Sequence, residues 1–482
     1  MSLTCLRLAN PIVPEAPMIQ LLDKPDQITV NTPEPSAIAT SAYADYVNPE
    51  WVRLLDLLGM NVRYRRCSGT ELHAEDGRIF LDFLSGYCVH NTGHNHPDII
   101  AALKRELDLS GPAMLQSHVA DTAGLLAQQL TERTGHRLTK TFFCSSGSEG
   151  IEAVIKFARA CTRRNGVVYA RGAFHGLTCG ALSLMGSEFW REGFGPMLAQ
   201  TFEVPFNDLA ALAQVLVKER IGAVVLEPVQ GEAGMVLPNP GYLADVQALC
   251  RKHGALFVLD EVQTGIGRTG RFVAAQYYGV SPDMIVLAKA LSGGLIPVAA
   301  VLMTEDVYDA VYGSLRRAII HTSTYSENGL AMRAGLATLE VLDREHLVER
   351  ADEMGKYLRP RLKKALEPYE MVSEVRGLGL MNGIVFTPPR QLRLKLAFEA
   401  FKAIHPGMFG QMVVRRLFHD HQILSQICGN NFMVLKVAPP LVVKEQQLDT
   451  YVEAITSVVD ALHSSSAFWS DALELGRRAF RL

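Results

Sequence analysis

Three ionisable residues follow three short apolar runs in the middle of the chain. Each run has the length and composition of a buried strand in a parallel sheet. The pairs are residues 223–226 with Glu227, residues 256–259 with Asp260, and residues 284–288 with Lys289. Because ligands of open α/β sheets bind at the carboxyl ends of the strands, the sequence predicts two carboxylates and an amine at one binding edge.

The amine of Lys289 is the most informative of these groups. A lone lysine after a strand is more often solvated or salt-bridged than nucleophilic. A carboxylate at the same edge changes that expectation, because the two groups together suit pyridoxal 5'-phosphate. The amine forms a Schiff base with the aldehyde, and the carboxylate keeps the pyridine nitrogen protonated so that the ring accepts electrons. Such a site also requires a phosphate-binding element.

A phosphate-binding element is predicted where a strand leads into a helix. Residues 142–148 end in Ser146, Gly147 and Ser148, and the apolar spacing of residues 149–160 is helical. Free amide groups at a helix start, beside small residues, bind phosphate. The alternative is that Ser146 or Ser148 is simply an N-cap, a role that does not exclude phosphate binding.

Nine sequence blocks carry a resemblance to a known family. They are residues 85–86 with 93–97, 146–149, 173–176, 227–232, 260–265, Lys289, 322–325, 375–377 and 438–440. In these blocks and in their order the chain resembles the class-III aminotransferases, the ornithine, acetylornithine and γ-aminobutyrate type of pyridoxal phosphate enzyme with fold type I. The resemblance extends from about residue 50 to about residue 460.

The resemblance implies a role for each cofactor-binding residue. Lys289 would bind the aldehyde carbon, Asp260 the pyridinium nitrogen and Gln263 the phenolic oxygen, and Phe174 would stack on the ring. Glu227 belongs to the same cofactor-binding set. An aromatic face and a paired buried carboxylate suit a flat cationic ring on physical grounds as well. The alternative for Phe174 is an ordinary core aromatic.

The resemblance also implies a homodimer with shared active sites. Ser146, Gly147 and Ser148 would bind the phosphate in their own subunit, and Thr324 would reach the phosphate of the other subunit. His175 is interpreted as a structural residue, because a histidine beside a glycine can form a hydrogen bond without transferring a proton.

Tyr87, Glu232 and Arg376 are the substrate-binding residues that the resemblance implies. Arg376 would bind the α-carboxylate of an amino acid or keto acid, and Glu232 would neutralise Arg376 when an amine without a carboxylate binds. The alternatives are a structural ion pair for Arg376 and a permanent pairing of the two residues. Two positions depart from the family, since Leu177 and Lys436 stand where relatives have arginine.

These residues predict an ω-aminotransferase that moves an amino group between a primary amine, or its aldehyde or ketone, and a small keto acid such as pyruvate. Lys289 would act in turn as nucleophile and general base in a ping-pong reaction. Two alternatives keep the cofactor: an ornithine- or diamine-type aminotransferase that uses 2-oxoglutarate, and a racemase, aminomutase or decarboxylase. An inactive scaffold dimer is disfavoured by the intact Lys289 and Asp260.

Composition favours a cytoplasmic enzyme. The 482 residues are 48% hydrophobic and carry a formal net charge of -3, which gives no electrostatic case for binding nucleic acid. The eight cysteines are scattered without a Cys-x-x-Cys pair, so neither a metal site nor a disulfide framework is predicted. No apolar stretch has the length that a membrane span requires.

The order of elements predicts an α/β protein with two domains. The large domain would contain a mainly parallel sheet of the seven-stranded type covered by helices, and a smaller α+β domain would combine the C-terminal part with an N-terminal segment. The predicted segments are a loosely ordered extension at residues 1–40, a helix and hairpin at 41–85, the large domain at 86–335, and the small domain with a terminal helix at 336–482.

Overall fold

The computed structural model describes residues 38–114, 117–404, 406–464 and 468–469. The chain divides into two units, Met1–Leu55 and Asp56–Leu482. In the first unit, α1 spans Ile38–Tyr46 and α2, which spans Pro49–Leu58, begins. Residues 1–37 of the predicted extension lie outside the described residues, and α1 begins two residues before the predicted end of that extension.

The second unit alternates strands and helices. Its strands are β1 (Tyr64–Ser68), β2 (Glu71–Ala74), β3 (Ile79–Asp82), β4 (Lys140–Cys144), β5 (Gly166–Ala170), β6 (Thr201–Val204), β7 (Ile221–Leu226), β8 (Leu256–Asp260), β9 (Met284–Leu287), β10 (Ala299–Met303), β11 (Val372–Leu378), β12 (Met381–Phe386), β13 (Ile423–Leu424), β14 (Ile427–Cys428) and β15 (Asn431–Val437).

The helices of this unit connect and cover the strands. They are α3 (Ser85–Cys88), α4 (Pro97–Asp108), α5 (Asp121–Thr134), α6 (Gly147–Thr162), α7 (Cys179–Leu182), α8 (Glu188–Arg191), α9 (Leu209–Lys218), α10 (Tyr242–His253), α11 (Ala274–Tyr278), α12 (Glu305–Tyr312), α13 (Gly329–Arg344), α14 (Leu347–Leu366), α15 (Leu392–Ile404), α16 (Met408–His421) and α17 (Glu445–Ser464). Short 3-10 turns span Lys289–Ser292 and Leu315–Arg317. Within the described residues, no helix is both long enough and apolar enough to cross a bilayer.

The large sheet has seven strands in the order β4-β10-β9-β8-β7-β5-β6. Strands β9, β8, β7, β5 and β6 pair in parallel, and β10 is antiparallel to both of its neighbours. Alternate residues of β7, such as Val224 and Val225, enter two different hydrophobic clusters, so packing covers both faces of the sheet. Burial on both faces explains the uninterrupted apolar runs, and the predicted parallel α/β fold is confirmed.

Two smaller sheets draw on both ends of the chain. One has the order β11-β12-β15-β14 and is antiparallel, and the other has the order β1-β2-β3-β13. The predicted hairpin is confirmed by the pairing of β2 with β3. In β13, Ile423 pairs with Leu81 of β3, so the C-terminal part and the N-terminal segment share a sheet as predicted. The domain boundaries at residues 85 and 335 stay predictions.

The predicted terminal helix falls mostly outside the described residues. Phe468 and Trp469 are described and are buried in the large hydrophobic cluster. The Trp469 indole nitrogen donates to the backbone oxygen of Leu462 at 2.9 Å, which joins these two residues to α17.

Candidate active site

The ends of neighbouring strands bring the predicted ionisable groups to one edge. Because β7, β8 and β9 pair in parallel, Glu227, Asp260 and Lys289 follow the strands on the same side of the sheet. Lys289 has a φ of 46°, a left-handed conformation that is uncommon outside glycine and is often found at functional sites. Its ε-amine forms no hydrogen bond or ion pair with the described residues, so it remains available for covalent chemistry.

Asp260 is buried and fixed by two hydrogen bonds. Its Oδ2 lies 2.7 Å from Nδ1 of His175, and its Oδ1 accepts from the backbone N–H of Val262 at 3.0 Å. Burial alone lowers the pKa of His175, but the hydrogen bond and negative charge of Asp260, with the charge of Glu227, outweigh it and raise that pKa. His175 therefore has the hydrogen-bonding position that the sequence suggested, and its Nε2 has no partner among the described residues.

Glu227 anchors two segments of the pocket. One carboxyl oxygen accepts from the backbone N–H of Phe174 at 3.0 Å and the other from that of Gly231 at 3.2 Å. Burial raises the pKa of Glu227 to about 7, with the charge of His175 acting in the opposite direction and that of Asp260 adding to the increase. This carboxyl group therefore retains its proton to higher pH than an ordinary glutamate.

Glycine positions fix the side chains around the predicted cofactor ring. A Cβ atom on Gly231 would lie 1.6 Å from Oε1 of Gln263, so glycine is required there for Gln263 to keep its place. Phe174 is half-buried, and its ring stands edge-on to Trp190 with centroids 5.5 Å apart at 89°. This partial exposure distinguishes Phe174 from the buried core aromatics.

The predicted phosphate-binding element is a helix start. Helix α6 begins at Gly147, and the Ser146 hydroxyl oxygen accepts from the backbone N–H of Glu149 at 3.2 Å. Ser146 is thus an N-cap, which was the alternative interpretation. The N–H groups at a first helical turn have no intrahelical acceptors, so those of Gly147 and Ser148 are suited to an anion, and phosphate binding there stays a prediction.

Close packing surrounds this helix start. A Cβ atom on Gly147 would lie 2.9 Å from Val262, which itself donates to Asp260, and one on Gly176 would lie 2.1 Å from the Ser148 hydroxyl oxygen. The strand edge, helix start and loop at residues 174–177 are therefore in direct contact with one another.

Thr324 lies in an exposed segment beside the same helix. The hydroxyl of Ser323 donates to Oε2 of Glu149 at 3.3 Å, and Lys156 donates to Nδ1 of His321 at 2.6 Å. These contacts hold residues 321–323 against α6 within one chain. The role of Thr324 toward a partner subunit stays a prediction.

Glu232 and Arg376 are not paired in this structure, and their roles toward substrate stay predictions. Both carboxylate oxygens of Glu232 accept from Nζ of Lys436, at 2.6 and 2.8 Å, and the backbone N–H of Gly429 donates to Oε2 at 2.7 Å. Arg376 instead donates to the backbone oxygen of Gly234 and pairs with Glu374 at 3.1 Å, which matches the alternative of a structural ion pair. Lys436 departs from the family pattern, but the sequence assigns it no role.

The Glu232–Lys436 pair is buried and stable in its charged form. Burial alone raises the pKa of Glu232, but the charge and hydrogen bonds of Lys436 outweigh it and lower that pKa. Burial alone lowers the pKa of Lys436, but the charge of Glu232 outweighs it and raises that pKa. Tyr87, held in the left-handed turn α3, places its ring centroid 4.4 Å from the Lys436 ammonium.

Sequence reasoning missed two further residues of this region, Trp190 and Asn430. The indole nitrogen of Trp190 donates to Oδ1 of Asn430 at 2.8 Å, and Asn430 also binds the loop that precedes Phe174. Neither residue lies in a block of the family resemblance. Lys436 carried a usable signal, because a lysine inside the apolar run of β15 resembles Lys289, which follows the apolar run of β9.

Comparisons with known proteins agree with this geometry. The family model of aminotransferase class-III matches residues 58–459. The chain is 37% identical over 451 residues to aminotransferase PigE of Serratia sp., covering 87% of this chain and 53% of that protein. It is 34% identical over 439 residues to a putrescine aminotransferase of Pectobacterium atrosepticum, covering 88% and 89%. The chain therefore spans about half the length of the first relative and most of the second.

A solved structure gives the same result for the fold. The ornithine aminotransferase of Toxoplasma gondii, a structure with partial occupancy of PLP, is 26% identical, with a TM-score of 0.75 over 89% of this chain and 98% of that one. The protein belongs to the class-III aminotransferases, which depend on pyridoxal phosphate.

The described residues fit this cofactor. The amine of Lys289 has no hydrogen-bonding partner among the described residues, and Asp260 has a buried carboxylate at the end of the neighbouring strand. Helix α6 begins at Gly147, which has no side chain to cover the backbone N–H groups of the first turn. An amine for an aldehyde, a carboxylate for a ring nitrogen and amide groups for a phosphate are the three anchors that this cofactor requires.

Proposed function

We propose that the protein is an ω-aminotransferase that moves an amino group between a primary amine, or its aldehyde or ketone, and a small keto acid such as pyruvate. The closed pair of Glu232 and Lys436 carries the proposal. The Lys436 side chain is 1% exposed and both carboxylate oxygens are engaged, so the pair offers a donor no net charge. A donor without a carboxylate then binds without breaking a buried pair, whose disruption is costly.

The site residues divide the chemistry among them. The bound cofactor supplies an aldehyde and an electron-accepting ring. Lys289 would hold the aldehyde carbon and, when released, act as the base that moves a proton to and from the substrate carbon. Asp260, braced by His175, would hold the proton on the ring nitrogen, and Gln263 would bind the phenolic oxygen.

The wall of the pocket favours an acceptor with one carboxylate. Leu177 exposes 52% of its surface at the position where the family resemblance implies a cation for a distal carboxylate, and it offers none. The single carboxylate of pyruvate would bind Arg376, because the ion pair of Arg376 with the half-exposed Glu374 opens at less cost than the pair of Glu232 with Lys436. Lys436, released from Glu232, is the alternative carboxylate ligand.

A homodimer with shared sites is part of the proposal. Thr324 is exposed, and the chain around it exposes large apolar side chains, namely Leu315, Ile319, Ile320 and Tyr325. Such a surface favours coverage by a second copy. Mixing Lys289→Ala with Thr324→Ala tests the sharing. If each site takes residues from both subunits, each hybrid dimer has one native site, so an equimolar mixture would regain up to about a quarter of the native activity, whereas separate sites would give no recovery.

A cytoplasmic location is proposed as well, supported by the free thiols of all cysteines that the structure describes.

A donor and acceptor screen tests the activity. Primary amines, ornithine and putrescine are each offered with pyruvate or 2-oxoglutarate, and the transferred amino group is measured for the native protein, Leu177→Arg and the uncharged control Leu177→Met. We expect amines to donate to pyruvate, and Leu177→Arg alone to gain 2-oxoglutarate use. Exchange restricted to α-amino acids would refute the proposal.

The same screen tests two alternative functions. The Pectobacterium relative is named for putrescine, so a diamine donor with 2-oxoglutarate is the first. A racemase or aminomutase is the second, and it would convert an amino acid without passing its amino group to the added keto acid.

A further inference from the structure

Trp190 lies between the two halves of the site. Its ring stands edge-on to Phe174, with centroids 5.5 Å apart. A Cβ atom on Gly429 would lie 3.3 Å from Cζ2 of Trp190 and 2.9 Å from Oε2 of Glu232, so the indole also approaches the Glu232–Lys436 pair. A substrate that extends away from the cofactor between Phe174 and this pair would therefore meet the indole.

Asn430 fixes the indole through both ends of its amide. Its Oδ1 accepts from the Trp190 indole nitrogen at 2.8 Å, while its Nδ2 donates to the backbone oxygens of Gly172 and Ala173 at 2.9 and 3.3 Å. Its backbone N–H donates to the backbone oxygen of Glu232 at 2.9 Å. Because the one polar atom of the indole is engaged, the ring presents only carbon to the site.

The described neighbours of Trp190 add no free charge. Phe189 stands edge-on to it at 5.1 Å and exposes 63% of its surface. Arg191, on the same helical turn, is engaged by Glu188 at 3.2 Å and by the Tyr169 hydroxyl at 3.3 Å. With the Glu232–Lys436 pair closed, the described aromatic and amide side chains that contact the indole carry no charge.

We propose that Trp190, positioned by Asn430, is the specificity-determining wall that selects amine donors with an uncharged carbon chain at the distal end. The inference rests on the proposed function and narrows its donor class. Each methylene covered by the indole favours binding by about fourfold, whereas a distal charge there would lose water without gaining a partner.

The test is a chain-length series on the holoenzyme. Dissociation constants, read from the absorbance of the bound cofactor, and kcat/KM with pyruvate are measured for butylamine, hexylamine and putrescine. Two more methylenes predict about a fifteenfold advantage of hexylamine over butylamine. Trp190→Ala should reduce that ratio to about twofold, because KM rises more for hexylamine than for butylamine.

Variants of the positioning residue separate a specific role from a structural one. Asn430→Ala should lower the chain-length ratio as Trp190→Ala does. Asn430→Gln keeps an amide oxygen for the indole N–H and an amide N–H for the backbone carbonyls, and it should retain more of the ratio than Asn430→Ala. Tyr277→Ala removes an exposed aromatic outside the site and should leave the ratio unchanged.

Each outcome decides between the two proposals. If amines donate but chain length has no effect, or putrescine is preferred to hexylamine, the wall is refuted and the proposed function stands. If no amine donates yet the dissociation constants fall with chain length and lose that trend in Trp190→Ala, the wall stands and the proposed function is refuted. Equal losses for every amine in Trp190→Ala would also overturn the inference.

Discussion

The two buried charge clusters of the site differ in how their charges are matched. On the cofactor side, Glu227 and Asp260 face a single imidazole, and the pKa of Glu227 is raised to about 7. On the substrate side, Glu232 and Lys436 match one to one, and the pKa of Glu232 is lowered. Glu227 is buried and the Glu232 side chain is only 14% exposed, so the supply of opposite charge, rather than burial alone, decides which carboxyl group ionises.

Removing Lys289, the proposed nucleophile and general base, should have the largest effect on activity. Lys289→Ala should lower the transfer rate by at least about 10⁴-fold, since nucleophile and general base are lost together. Its free energy of unfolding should change little, because the amine has no hydrogen-bonding partner among the described residues. Amine turnover and denaturant unfolding measure the two quantities. A variant that retained more than a hundredth of the activity would contradict the role.

Breaking the matched pair should cost the most stability. Lys436→Met leaves the Glu232 carboxylate buried without its partner, which should reduce the free energy of unfolding by about 3–5 kcal/mol. The double variant Lys436→Met with Glu232→Gln should recover most of that loss, because the unpaired charge is gone. Urea unfolding of the two single variants and the double variant gives the coupling, and additive losses would show that the pair is not a unit.

Filling a glycine on the cofactor side should have a moderate effect. In Gly231→Ala the new Cβ would meet Oε1 of Gln263 at 1.6 Å, so we expect a loss of about 1–3 kcal/mol and weaker retention of the cofactor. Gly124→Ala is the matched control, because nothing lies within 4 Å of its Cβ position within α5. The control should be stabilised by about 0.5–1 kcal/mol. Equal responses in thermal unfolding would contradict the packing argument.

The smallest expected effect is a difference between the two clusters in how the free energy of unfolding depends on pH. The raised pKa of Glu227 means that the folded state binds the proton more tightly than the unfolded state, so stability falls as pH rises from about 4.5 to about 7. Glu227→Gln should flatten this slope relative to the native protein, and the similar contribution of Glu261 should remain in both.

The substrate-side pair should behave in the opposite way. The stability contributed by Glu232 is present above its usual pKa and is lost only at lower pH, and that of Lys436 is present below its usual pKa and is lost only at high pH. The pair therefore adds no slope between about pH 5 and 9. Thermal unfolding measured across that pH range gives the contribution of both clusters to stability. If stability fell with pH as steeply in Glu227→Gln as in the native protein, the raised pKa assigned to Glu227 would be contradicted.

The two clusters also differ in how far the sequence predicted them. The cofactor side depends on local signals, since a strand ends beside Glu227, Asp260 or Lys289 and a helix begins beside Ser146. The substrate side joins Glu232 to a lysine 204 residues away. Sequence spacing cannot rank two distant cations as partners of one carboxylate, which is why Arg376 was predicted and Lys436 was found.

The sequence by itself determined the parallel sheet, the edge at which Glu227, Asp260 and Lys289 lie, and the helix start that follows β4. Periodicity and strand-end rules act over a few residues, so they can be recognised along the chain. Only the tertiary structure decided that Glu232 pairs with Lys436 and that Asn430 holds Trp190. Those contacts depend on how separate segments pack, because burial and distance, which choose among possible partners, exist only in the folded molecule.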